Sequence, residues 1–290
     1  MIPTSETTTT TTEGLDASKK ITDPTLAKTK AQQLIDAQRD SIAMLTHVTE
    51  KIRELPTTLI RDALEETGYI VIDGFLGRST DYDAIPLLRD EGRSMLAHME
   101  ADLTNLGSGE YTVALKGGED QYTQCPRSVE FVVSTTKHMV SHLGLNDTLD
   151  DGASMATLRT FDRKAFKASL ALLTGKEDED LVGESTKPFG IIATEENDQR
   201  RITLMYYIVS STWDSSNCGG GLTFEGDGAT VEAKSDRLVI LKSDTCSFRR
   251  DPWKGSDAEE NMTGTCLELH LVLKNEQEEG NDKNNKTKKS

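Results

Sequence analysis

The chain has 290 residues with a formal net charge of −16, 35% hydrophobic residues and four cysteines. That length holds one large domain or two small ones with a substantial core. The charge excludes the concentrated basic face that a nucleic-acid backbone requires, and no apolar run of ~18 residues offers a membrane-spanning helix.

Residues 1–22 are Thr-rich and polar and are expected to be a disordered tail. They lack the basic and apolar regions of a secretory signal, and Cys125, Cys218, Cys246 and Cys266 form no CxxC pair. Reduced thiols and a cytoplasmic or nuclear location are the expectation. Asp23-Pro24 is a helix start, and Ile35, Ile42, Leu45, Val48, Ile52 and Leu55 recur at three- and four-residue spacing. This predicts one long amphipathic helix over 23–56, closed by Pro56. It either packs on its own domain or carries a protein partner.

The main domain is expected over 57–274. A second helix is predicted over 57–66, with Gly68 at its end, followed by the β-branched strand Tyr69–Asp73. A further helix is expected over 84–106. Residues 129–142 read as strand-like at Val129–Val133 and helical afterwards. From Ser154 onward the texture is of short strands: MATLRTF, ITLMYYIV, GGLTFEG, TVEA, RLVILK and CLELHLVL. Helices first and many short strands later predict an α+β fold whose body is a sandwich or jelly roll. The polar, apolar-poor run 275–290 is expected to be a second disordered tail.

Several of these strands share an order and spacing with a known family. Arg201-Ile-Thr-Leu-Met-Tyr-Tyr-Ile, then Trp213, then Gly219-Gly-Gly-Leu-Thr-Phe224, then Ser235-Asp-Arg-Leu-Val-Ile-Leu-Lys-Ser-Asp244 resembles the Fe(II)/2-oxoglutarate dioxygenases. The branch it is most similar to is the prolyl 4-hydroxylase type, and Gly68-Tyr-Ile-Val-Ile-Asp-Gly-Phe-Leu resembles the opening of that domain. The resemblance covers roughly 57–273 and implies a double-stranded β-helix (jelly roll) with flanking N-terminal helices.

It also implies a site that this sequence does not supply. The family's iron sits on a His-x-Asp pair and a distal His, and an Arg or Lys on the last strand holds 2-oxoglutarate. By resemblance those positions fall at Ser169, Ala171 and Arg249 for the metal, and at Gly264 for the co-substrate. No histidine lies between 143 and 269, because the five are His47, His98, His138, His142 and His270. His98-Met-Glu100 and the i, i+4 pair His138/His142 are read as non-metal residues.

Alternation on the last strand puts Gly264, Cys266, Glu268 and His270 on one face. With Arg159 and Tyr206 they are the expected pocket lining, and a Glu268–His270 pair near Arg249 is expected as a polar plug. Two functions compete. One is a catalytically degenerate dioxygenase-fold protein acting as a binding or scaffold module, with no cofactor. The other is an active dioxygenase using Fe(II) and 2-oxoglutarate at an atypical site. A protein partner is expected on helix 23–56 or on the insertion 172–199, which carries eight acidic residues against Lys176 and Lys187. Neither nucleic acid nor membrane is expected as a partner.

Overall fold

The computed structural model describes residues 24–78, 82–101, 110–162, 188–254 and 263–274. Helix α1 (Pro24–Glu54) and helix α2 (Thr57–Glu66) lead into strand β1 (Tyr69–Asp73), in accord with the periodicity. Helix α3 (Ala84–Met95) is shorter than expected. It runs into a 3-10 turn at Leu96–His98, and a β-ribbon follows, β2 (Glu100–Ala101) with β3 (Glu110–Ala114).

Helices α4 (Glu119–Gln124) and α5 (Pro126–His142) come next. The strand-like Val129–Val133 is helical, which corrects the expectation. Buried residues along α5 recur as Val129, Val132, Thr136, Met139 and Val140. One face of a helix packed on the core outweighs the β preference of branched side chains, which is a modest bias. Strands β4 (Leu149–Asp162), β5 (Arg200–Ile208), β6 (Leu222–Phe224), β7 (Thr230–Val231), β8 (Arg237–Lys242), β9 (Phe248–Arg250) and β10 (Thr263–Leu273) complete the order, with a four-residue helix α6 (Ser215–Cys218) before β6.

The strands form two antiparallel sheets. The larger has the order β1-β8-β5-β10-β4-β3-β2 and the smaller β7-β6-β9. Period-two alternation divides the large sheet between two cores. Leu204, Tyr206, Ile208, Leu238, Ile240, Leu267 and Leu269 face the helices. Phe161, Met205, Tyr207, Val239, Leu241 and Cys266 face the small sheet, where they meet Leu222, Phe224 and Phe248. Among the described residues, the interior between the sheets is therefore apolar except where β3, β4, β9 and β10 converge.

Helix α1 belongs in large part to the helix-side core. Met44, Val48 and Ile52 are fully buried, and the helix is tied to α5 by Ser41 to Glu130 (2.7 Å) and by Arg127 to Asp40 (2.6 Å). Only part of the sequence stripe is left in solvent: Ile35 and Ile42 are more than half exposed, and Leu45 is 39% exposed. Ile52→Ala is expected to cost about 2–5 kcal/mol of unfolding free energy. Denaturant titration would show a loss below about 1 kcal/mol if α1 were docked only loosely.

Candidate functional site

Four strands bring ionisable groups into the space between the sheets. On β10, alternation points Gly264, Cys266, Glu268 and His270 inward, as expected, while Leu267, Leu269 and Leu271 pack on the helix side. Arg159 on β4 pairs across from Cys266, so its side chain lies diagonally beside Glu268 on the same face. Glu110 enters from β3, where Thr112 is the residue opposite Arg159. From the small sheet, β9 alternates in the same way, turning Phe248 and Arg250 inward and Arg249 outward.

The expected position of Arg249 is thus corrected by one residue. Its guanidinium lies 5.0 Å from the Phe189 ring centroid and 3.8 Å from Asp251 Oδ1, on the partly exposed outer face. Arg250 is the residue that reaches inside, donating from Nη2 to Glu268 Oε1 at 2.7 Å. Arg159 Nε donates to the other oxygen, Glu268 Oε2. Arg159 Nη1 also bonds to Glu110 Oε2 at 3.1 Å. Two guanidiniums and two carboxylates therefore balance.

Burial alone would raise the Glu268 carboxyl, but the Arg250 and Arg159 guanidiniums outweigh it and hold this group well below the usual carboxylate range. Burial is also the main cause that lowers His270, against the pull of Glu268. A neutral His270 fits its contacts: Nδ1 lies 2.8 Å from Thr203 Oγ1, which in turn lies 2.7 Å from Ser243 Oγ. His270 Nε2 is 3.6 Å from Glu268 Oε1. Cys266 is no nucleophile, because burial pushes its thiol up to about 12.

Trp253 closes this interior. Its indole Nε1 donates to Glu110 Oε1 at 2.8 Å, and its ring stacks parallel on Phe161 with centroids 6.2 Å apart. Trp213 meets it edge-on at 5.4 Å. The ring is seated on two glycines. A Cβ at Gly264 would stand 2.8 Å from Trp253 Cε3, and one at Gly220 would stand 2.7 Å from Cδ2, both too close for a real side chain. The position where resemblance puts a co-substrate arginine is thus filled by an indole that needs glycine beneath it.

Tyr206 is corrected as well. It faces the helices, stacks on Phe131 with centroids 5.0 Å apart, and donates to Asp236 Oδ1 at 2.8 Å. Asp236 has a positive φ of 61° and also accepts from the Leu76 and Gly77 amides, each at 2.8 Å, so the pair holds a turn beside β1. Its neighbour Tyr207 lines the interior instead, with a buried hydroxyl that has no hydrogen-bond partner among the described residues. Ser169, Ala171 and most of the acidic insertion lie outside the described residues. His142 is tied to Thr57 Oγ1 at 2.8 Å and to the Leu55 carbonyl at 3.0 Å, as a structural residue.

With this geometry in hand, the solved structures can be compared. A Phytophthora capsici prolyl 4-hydroxylase matches at 17% identity and TM-score 0.56 over 79% of this chain, which spans 65% of that one. A Trichoplax adhaerens prolyl hydroxylase, in complex with a hypoxia-inducible factor peptide fragment, matches at 16% and 0.54, covering 77% and 90% of the two chains. A Pseudomonas putida prolyl-4-hydroxylase matches at 14% and 0.52, covering 76% and 100%. The fold is the double-stranded β-helix of the prolyl 4-hydroxylases. No protein-family model and no curated protein sequence matches the chain, and identities this low establish fold alone.

The resemblance implies Fe(II) and 2-oxoglutarate, and the described residues around Arg249 and Gly264 offer ligands to neither. Among the described residues no cluster of three or more His, Cys, Asp or Glu could hold a metal. The inward charges near the expected site are Arg159 and Arg250, which repel a dication, and both carboxylates are already engaged by them. Which of Arg249 and Arg250 turns inward is set by the register in which β9 pairs with β6, and the sequence alone did not assign it. Glu110 carries no sequence signal, since its strand sits in a segment with no clear period.

Proposed function

We propose that this chain is a catalytically degenerate double-stranded β-helix protein that acts as a protein-binding or scaffold module. One observation carries the reading: Trp253, seated on Gly220 and Gly264, fills the interior above the Arg159–Glu268–Arg250 cluster. A residue set that puts packed aromatic and ion-paired groups where an open coordination sphere would lie leaves no position for a metal-bound substrate. The binding surface is assigned to the exposed edge of α1, where Ile35, Ile42 and Leu45 stand in solvent, with the acidic stretch within 172–199 as the other surface. A peptide-binding use of this fold has a parallel in the Trichoplax protein's complex.

Two measurements test the reading. Titration with Fe(II), Mn(II) or Co(II) should release no binding heat at micromolar protein, and the metals and 2-oxoglutarate should leave Tm unchanged. Stoichiometric metal bound at micromolar affinity, or 2-oxoglutarate turnover lost in Arg250→Ala, defeats the proposal. For the surface, Ile42→Asp/Leu45→Asp should abolish co-purification of a partner while the protein stays folded. Unaltered co-purification after those changes, and after neutralising 177–180, would leave no role for either surface.

A further inference from the structure

The large sheet separates the polar cluster from a second cavity on its helix side. This cavity, of about 430 Å³, opens between α2, the loop after α5 and the ends of β5, β8 and β10. That is within the range of small-molecule sites, ~300–1,000 Å³. Leu64, Leu143, Leu149 and Ile202 form a buried floor, and Leu145 and Leu273 are half-buried at its edge. The floor is aliphatic throughout.

The rim is charged. Arg61, Arg201 and Lys242 stand against Glu65 and Asp244, three cations to two carboxylates, leaving one positive charge in a chain of net −16. Among the described residues none of these five side chains forms an ion pair, whereas Arg127, Arg159 and Arg237 are each bound to carboxylates. Arg201 is held in place without a carboxylate ion pair of its own, the nearby Asp198 being paired with Arg200. Its Nη1 donates to the carbonyls of Asp198 at 2.5 Å and Arg200 at 2.9 Å, so the rest of the fork has no carboxylate partner.

We propose that this cavity binds a small amphipathic monoanion, a carboxylate on an aliphatic chain. The chain lies on the leucine floor, and the head group is held by Arg201 and Lys242. A guanidinium fixed by backbone carbonyls loses little freedom when it closes on a carboxylate, and an ammonium beside it adds charge without geometric demand. The local excess of one positive charge matches one anionic head, and the apolar floor rejects ions that bring no body with them. This site does not depend on whether the interior between the sheets is catalytic.

Calorimetry on the full chain tests the proposal with decanoate, kept below its self-association range, and with decanol and acetate as controls. Decanoate should bind at one site, with decanol and acetate each at least about tenfold weaker. Arg61→Gln/Lys242→Gln should weaken decanoate about tenfold, through loss of the Lys242 contact and of a second positive charge on the rim. Backbone amide shifts should cluster at Leu143, Leu145 and Leu273. Arg61 and Lys242 form no side-chain hydrogen bond or ion pair among the described residues, so this variant decides the matter if Arg201→Gln fails to fold. Absence of saturable binding, decanol binding as tightly as decanoate, an unaltered affinity in the double variant, or shifts centred on the Trp253 indole would each overturn it.

Discussion

Glu268→Gln is expected to destabilise the protein by about 3–5 kcal/mol, the cost of removing one partner from a buried charge cluster. The carboxylate is 4% exposed and accepts from both Arg159 and Arg250, so its loss leaves two guanidiniums facing one remaining carboxylate, Glu110. Urea unfolding at neutral pH measures the loss directly. A change under about 1 kcal/mol would mean that water or a rearranged side chain compensates, and that the cluster is not dry. Acid should act through the same group. Its folded-state pKa lies below the ordinary carboxylate value near ~4.3, so the folded state binds fewer protons. The stabilisation is present above that value and is lost as pH falls below it. Asp73, held at about 2 chiefly by its hydrogen bond to Arg237, contributes in the same direction. The difference between wild type and Glu268→Gln should therefore narrow as pH drops from about 5 toward 2. A constant difference would assign the effect of the substitution to packing.

Gly264→Ala is the second large effect, and it is conditional. The added methyl meets the Trp253 ring and stands 3.1 Å from Trp213 Cη2, both buried against their neighbours, so an overpacking cost of about 1–3 kcal/mol is expected. Trp253→Ala alone should cost about 3–5 kcal/mol, because it empties the interior and removes the donor to Glu110. In the double variant the methyl finds space, so the two losses should fall short of additivity by at least about 1 kcal/mol. Strict additivity would show that Trp253 does not rest on Gly264 in solution.

Much of this molecule was legible in the sequence because it depends on local pattern. The three- and four-residue spacing of α1, the β-branched Tyr69–Asp73 strand, and the alternation of Gly264, Cys266, Glu268 and His270 follow from backbone period alone. Composition and spacing likewise carried the α+β class, and the resemblance carried the double-stranded β-helix. The missing histidines between 143 and 269 needed no structure at all.

What tertiary structure decided are contacts between residues distant in the chain. Val129–Val133 is helical because its face packs on the core, a non-local term larger than its strand preference. Arg250 rather than Arg249 enters the interior because β9 pairs with β6 in a register that places Arg249 opposite Thr223, and a one-residue slip reverses every side chain. Glu110 joins the cluster only because β3 lies beside β4. Tyr206 and Tyr207 are chemically alike and adjacent, and only the sheet's position between two cores assigns one to the helices and the other to the interior. Gly264 shows the limit most plainly. An absent side chain carries no chemical signal of its own, and its meaning appears only when the Trp253 ring is found resting on it.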